Sequence, residues 1–120
     1  MKNRNFNTKA IHVGNDPDKE NGAVTSPIHF SSTFKQDEVG VHKGYDYSRA
    51  CNPTRGRFEK NISSLEDANY GIAFSSGMAA ITALFQTMSH GDHVIIGRNV
   101  YGGTYRMVSQ ILSNHGFEFD

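Results

Sequence analysis

The sequence predicts an α/β fold, with a parallel or mixed sheet and flanking helices, preceded by an N-terminal arm. From residue 70 to residue 120, apolar runs of strand length alternate with segments of helical periodicity. This alternation is typical of a parallel sheet whose strands are connected by helices. The small residues Ser75 to Gly77 separate the first such strand from a helix. The first 44 residues lack periodicity and are rich in turn formers, which predicts a segment without a core of its own.

The N-terminal arm is assigned to residues 1–48. Scattered apolar side chains such as Ile28 and Phe30 disfavour simple disorder. We therefore expect the arm to pack on another surface, with a second subunit as one candidate. Residues 49–120 are assigned to the start of an α/β domain. Three strands make a small sheet, so the sequence predicts a larger domain that is interrupted at Asp120.

Each element of this domain follows from a local pattern. Pro53 favours an extended residue before it, and Thr54 is predicted to cap a helix over residues 55–68. The apolar residues of that helix are spaced four and three apart, which places them on one face. The later predictions are a strand at 70–74, a helix at 78–88, a strand at 93–97, a helix at 104–114 that Gly116 ends, and a strand from residue 117.

The turn at residues 75–77 is a candidate anion site. A strand that opens a helix through small residues leaves backbone N–H groups unpaired at the positive end of the helix dipole. Ser75 or Ser76 can add a hydroxyl donor or a cap. The alternative is a plain turn capped by serine, and this stretch alone does not separate the two. The loop after residue 96 shares the ligand-binding edge of the sheet, which favours a binding role for Ser76, Gly77 and Tyr101.

Three further side chains are candidates for ligand contacts. An arginine close to a tyrosine outside a helix, as in Tyr47 and Arg49, can hold a phosphate or carboxylate with its planar fork. Tyr101 precedes two glycines that leave its ring uncovered, so it can lie on a planar ligand. Taken one at a time, the ordinary alternatives are a loop arginine and a tyrosine packed on the rim of the sheet.

Composition argues against several other classes of protein. Twelve basic and twelve acidic residues give a formal net charge of zero, which leaves no electrostatic footprint for nucleic acid or membrane. The single cysteine, Cys51, cannot form an internal disulfide and suits a reducing, cytoplasmic compartment. The six histidines show no metal-ligand spacing with it, so no metal site is predicted. Gly71 and Gly77 match neither common nucleotide-binding motif.

Three motifs in order resemble the cysteine and methionine metabolism family of pyridoxal-phosphate (PLP) enzymes. These motifs are Tyr-Ser-Arg-x-x-Asn-Pro-Thr-Arg from Tyr47, Ser-Ser-Gly-Met-Ala-Ala from Ser75 and Val-Tyr-Gly-Gly-Thr-Tyr from Val100. Ala-Ile-His-Val-Gly near the start and Ser-Ser-Thr-Phe-Lys-Gln from Ser31 are also similar to that family. The resemblance covers nearly the whole chain. It implies fold type I, with this chain as the arm and the first part of the large PLP-binding domain.

The resemblance also implies roles for six residues. Backbone amides of Ser76, Gly77 and Met78 would hold the cofactor phosphate. Tyr47 and Arg49 would reach the same phosphate from a neighbouring subunit, so the resemblance implies a homo-oligomer, taken as a homotetramer, that joins through the arm. Tyr101, matching the tyrosine of Tyr-Gly-Gly, would stack on the pyridine ring and assist at the leaving group.

One departure from the family limits what this chain does alone. The family joins PLP to a lysine, and the last lysine here, Lys60, lies on an amphipathic helix and does not match it. The resemblance implies the N-terminal part of a transsulfuration enzyme that acts on a γ-carbon C–S bond of cystathionine or a similar amino acid. Residues 44–47 and 74–78 most resemble cystathionine γ-lyase, with cystathionine γ-synthase as the alternative. A non-catalytic partner of a full-length relative and a generic phosphate-binding module also stay open.

Overall fold

The computed structural model describes residues 5–120, which form two compact units that divide between Ala73 and Phe74. The first unit contains helices α1 (Phe6–His12) and α2 (Pro53–Leu65) and a hairpin of β1 (Gln36–Glu38) and β2 (Val41–His42). The second unit contains α3 (Gly77–Phe85), β3 (His93–Val94), α4 (Gly102–Gln110) and β4 (Glu118–Phe119).

Helix α1 packs against α2, so part of the arm docks on a helix of its own unit. The side-chain amide of Asn61 on α2 donates to the carbonyl oxygens of Lys9, Ala10 and Val13 at 3.3, 3.0 and 2.8 Å. The last carbonyl groups of a helix lack partners within it, and Asn61 supplies donors for this end of α1. The sequence pattern did not predict α1, because its anchor lies about fifty residues further along the chain.

Helix α2 begins two residues earlier than predicted and ends three residues earlier. Asn52 has extended backbone angles, as Pro53 requires, and its side-chain oxygen accepts a hydrogen bond from the Thr54 N–H at 2.8 Å. Asn52 is therefore the cap, and the prediction of Thr54 was wrong. The Thr54 hydroxyl instead accepts a hydrogen bond from the His29 N–H at 2.9 Å.

The hairpin continues into the segment that carries Tyr47. Beyond β1 and β2, Thr33 forms an isolated antiparallel bridge with Tyr47. The Phe34 N–H donates to the Asp46 carbonyl oxygen, and the Ser48 N–H donates to the Ser32 carbonyl oxygen, both at 2.8 Å. Two motifs that are separated in the sequence, residues 31–36 and 45–49, therefore lie side by side as an antiparallel ribbon.

The predicted strand at residues 70–74 is not formed among the described residues. Tyr70 and Ile72 are 88% and 75% exposed, and the segment joins neither sheet. Its apolar run matches a strand locally, but a strand also needs a paired neighbour. The segment is fixed instead by α2, where a Cβ added to Gly71 would lie 2.6 Å from the Glu59 carbonyl oxygen.

The second unit confirms the other predicted elements, although its strands are shorter than predicted. Strand β3 pairs in parallel with β4, with His93 opposite Glu118. Its core consists of Phe85, Met107 and Val108, and Val108 is 1% exposed. A 3₁₀ turn (Leu112–His115) follows α4 and ends at Gly116, whose φ of +80° is the left-handed conformation that glycine adopts most readily.

Candidate functional site

The N-terminus of α3 has the form of an anion site. Ser76 is the N-cap, and its hydroxyl oxygen accepts a hydrogen bond from the Ala79 N–H at 3.1 Å. Among residues 5–120, the N–H groups of Gly77 and Met78 have no acceptor. A Cβ built on Gly77 would meet no heavy atom within 4 Å, so the space next to these amides is open. Two unpaired amides at the positive end of a helix can bind a phosphate.

Tyr101 lies close to this helix end. It is the N-cap residue of α4 and its side chain is 69% exposed. A Cβ added to Gly103 would lie 2.7 Å from Cε1 of Tyr101 and 2.9 Å from Sδ of Met78. Because Gly103 has no side chain, the Tyr101 ring and the Met78 thioether can both lie next to it. This arrangement places an exposed aromatic ring near the free amides of α3, although residues 70–74 form no strand that would share a sheet edge with the loop before Tyr101.

Tyr47 and Arg49 lie in the first unit and contact each other. The Arg49 guanidinium carbon is 5.0 Å from the centroid of the Tyr47 ring, within the range of a cation–π contact. The Tyr47 side chain is partly exposed, and neither side chain makes a hydrogen bond in the part of the chain that the structure describes. Both polar ends are available to an anion.

Two groups of residues contribute no further chemistry. Lys60 pairs with Asp16 at 3.8 Å on an exposed face of α2. Within residues 5–120, no group of three or more His, Cys, Asp and Glu side chains could hold a metal ion. No helix in the same range is long and apolar enough to cross a membrane.

Comparisons with known proteins identify the family of the chain. The family model for Cys/Met metabolism PLP-dependent enzymes covers residues 7–120. The chain belongs to this family. Members of the family depend on PLP, and the chain has their α/β fold, the N-terminal portion of fold type I.

The relatives include enzymes with three related activities. A probable cystathionine γ-synthase of Herpetosiphon aurantiacus is 47% identical over 96% of this chain and 36% of its own length. Cystathionine γ-lyase of Bacillus subtilis is 49% identical over 92% of this chain and 29% of its own length. Other relatives are named cystathionine β-lyases.

A solved structure matches closely as well. Cystathionine γ-lyase from Lactobacillus plantarum, complexed with L-serine, has a TM-score of 0.90 and 44% identity. The match covers 98% of this chain and 30% of that one. The chain therefore spans about a third of the length of the relatives it matches.

The α3 N-terminus fits the phosphate of PLP. The open space at Gly77 and the unpaired amides of Gly77 and Met78 suit a phosphate group, which approaches a backbone most closely where side chains are small. The exposed Tyr101 ring next to Met78 suits a flat pyridine ring.

The structure adds residues whose roles the sequence did not indicate. Arg55 of α2 donates hydrogen bonds to the backbone of the segment that carries Tyr47 and Arg49, and Glu59 pairs with Arg55. Arg55 stands in the Asn-Pro-Thr-Arg motif. The motif marks its position, but only the folded backbone shows what it contacts.

Proposed function

We propose that the chain is the N-terminal part of a PLP-dependent transsulfuration enzyme. The enzyme acts on the γ-carbon C–S bond of cystathionine or a related amino acid and is most like cystathionine γ-lyase. The observation that carries this proposal is that Met78 and Tyr101 both border Gly103, where a Cβ would lie 2.9 and 2.7 Å from their side chains, next to the unpaired amides of α3. This observation supports a phosphate site beside a ring-stacking side chain, because a plain capped turn does not require an aromatic ring next to it.

Each site residue has a physical role in this proposal. The amides of Ser76, Gly77 and Met78 face the phosphate at the positive end of the α3 dipole. Arg49 adds a planar cation and Tyr47 a hydroxyl donor, and the arm brings both from a neighbouring subunit of a homo-oligomer. Bound PLP supplies the electron sink of the reaction.

Tyr101 is the catalytic residue that this chain contributes. Its ring covers one face of the cofactor ring, which excludes water from that face. Its hydroxyl is positioned to move a proton at the leaving sulfur. No lysine among residues 1–120 matches the family lysine that joins the cofactor, so the proposal requires that lysine from another part of the enzyme. The enzyme works in the cytoplasm, which suits a chain with a single unpaired cysteine.

The test is a thiol assay on the native gene product with L-cystathionine and PLP. Cleavage at the γ-carbon releases cysteine, which we expect, whereas cleavage at the β-carbon releases homocysteine. Formation of cystathionine from cysteine and a γ-substituted homoserine would favour the γ-synthase instead. If the product with bound PLP neither cleaves nor forms cystathionine, the proposed activity is wrong. A Tyr101→Phe variant is the matched control for the role of the hydroxyl, because it keeps the aromatic ring and removes only the hydroxyl.

A second candidate is a non-catalytic partner of a full-length relative. The observation that favours it is that the side chains of Tyr47 and Arg49 make no hydrogen bond among residues 5–120, so they are available to the site of another subunit. In that case, mixing the 120-residue chain with a full-length relative changes the mass and the activity of the relative. Unchanged mass and activity would exclude this role.

A further inference from the structure

The Arg55 side chain is bound to the backbone of the segment that carries Arg49. Its Nη1 donates to the Ser48 carbonyl oxygen at 3.0 Å, and its Nη2 donates to the Ala50 carbonyl oxygen at 2.7 Å. The Arg49 carbonyl oxygen lies 3.4 Å from Nη1, a longer and weaker contact. One planar guanidinium therefore holds three successive carbonyl groups.

Glu59 holds the other edge of the same guanidinium. It lies one helical turn after Arg55, and its Oε1 is 3.4 Å from Nε of Arg55. The same oxygen accepts a hydrogen bond from the Ala73 N–H at 2.9 Å. The two side chains are 33% and 23% exposed, so water screens the pair less than it screens a fully exposed one. The pair thus ties the segment at residues 48–50 to α2 and to residue 73.

The side chains of Tyr47 and Arg49 do not fix their own positions. Their contact with each other is a cation–π contact at 5.0 Å, and neither makes a side-chain hydrogen bond among residues 5–120. Their placement therefore depends on the backbone between them. Arg55 has five N–H donors, and its contacts with carbonyl and carboxylate oxygens occupy most of them. Arg55 is thus suited to hold this backbone rather than to bind an anion itself.

We propose that Arg55, held by Glu59, is a positioning residue for the contact of Tyr47 and Arg49 with the cofactor phosphate. This proposal rests on the proposed function. A lysine cannot replace Arg55, because an ammonium is a point charge and does not present a planar fork to two carbonyl groups.

The experiment uses the native gene product and two readouts. The first is amide hydrogen exchange without PLP at Ala50 and Cys51, whose N–H groups donate to the Tyr47 carbonyl oxygen. The second is the dissociation constant for PLP. For Arg55→Lys and Arg55→Gln we expect exchange at these amides to be faster, and PLP to bind more weakly, each by about tenfold or more. Glu59→Gln keeps an acceptor for Ala73 and loses the charge, so its effects are smaller.

The control is Lys60→Gln on the same helix. Lys60 makes an exposed ion pair with Asp16 and does not touch residues 47–51, so both readouts stay unchanged. Should Arg55→Gln fail to fold, Arg55→Lys keeps the cation and the pair with Glu59 and decides the outcome. Unchanged exchange and unchanged PLP affinity in a folded Arg55→Lys variant would overturn the proposal.

Arg49→Ala separates this proposal from the proposed function. If Arg49→Ala weakens PLP binding and the Arg55 variants do not, the positioning role is wrong and the phosphate contact stands. If Arg49→Ala leaves PLP affinity unchanged, the phosphate contact itself is wrong, and the positioning role falls with it.

Discussion

Gly102 and Gly103 form a matched pair in the first turn of α4. A Cβ at Gly103 would lie 2.7 Å from the Tyr101 ring and 2.9 Å from Sδ of Met78, whereas a Cβ at Gly102 would meet no heavy atom within 4 Å. Alanine at either position gains up to about 1 kcal/mol of helix propensity. The difference in stability between Gly103→Ala and Gly102→Ala therefore isolates the effect of crowding.

Crowding of this kind costs about 1–3 kcal/mol. Because Tyr101 is 69% exposed and Met78 has a flexible side chain, the ring can swing outward. We therefore expect Gly103→Ala to be less stable than Gly102→Ala by about 1 kcal/mol, the lower end of that range. The same movement takes the ring away from the proposed cofactor face. Losing an aromatic contact worth about 0.5–1.5 kcal/mol weakens PLP binding roughly two- to twelvefold.

The assay compares denaturant unfolding and PLP titration for the two variants of the native gene product. Gly102→Ala is expected to match or exceed the parent in stability and to bind PLP as the parent does. Equal stability and equal PLP affinity of the Gly103→Ala and Gly102→Ala variants would refute the claim that Gly103 leaves room for the Tyr101 ring to contact the cofactor.

Three further predictions concern stability, and each is measured by denaturant or thermal unfolding. Gly71→Ala places a Cβ 2.6 Å from a backbone oxygen of Glu59 and is expected to destabilise by about 1–3 kcal/mol. Gly56→Ala lies on α2, the helix that contains Glu59, and has open space around it, so we expect it to stabilise by about 0.5–1 kcal/mol. A stabilising Gly71→Ala or a destabilising Gly56→Ala would contradict this packing. Asn61→Ala removes the side-chain donor to the Ala10 and Val13 carbonyl oxygens and costs about 1–3 kcal/mol, and no loss would mean that α1 is held in another way. Ser76→Ala removes the cap of α3 and costs about 0.5–2 kcal/mol, whereas Ser76→Gly costs only a few tenths, and equal losses would argue against a capping role.

The parts of the fold that depend on local chemistry were predictable. Gly116 ends the helical segment as its conformational freedom predicts, and Ser76 caps α3, one of the two serines considered. The parallel pairing of β3 with β4 also follows from the alternation of strands and helices. Gly116 and Ser76 lie next to the elements that they shape, and the β3–β4 pairing follows from the order of the elements along the chain.

The parts that depend on distant partners were not predictable. Helix α1 needs Asn61 to hold its last carbonyl groups, and the run at residues 70–74 lacks a paired strand although its pattern is that of a strand. The contacts of Arg55 with three carbonyl groups depend on the path of a backbone loop. No periodicity of the sequence encodes that path. The Asn-Pro-Thr-Arg motif therefore marks Arg55 but does not show which groups it contacts.

If the proposed function is right, PLP in the native gene product is joined to a lysine that is not among residues 1–120. The most direct test is the intact mass of the native gene product, purified from its source, before and after reduction with borohydride, which fixes PLP to the lysine. We expect a mass well above 13.3 kDa and a phosphopyridoxyl group on a lysine outside residues 1–120. A mass near 13.3 kDa with no such group would contradict the proposed function.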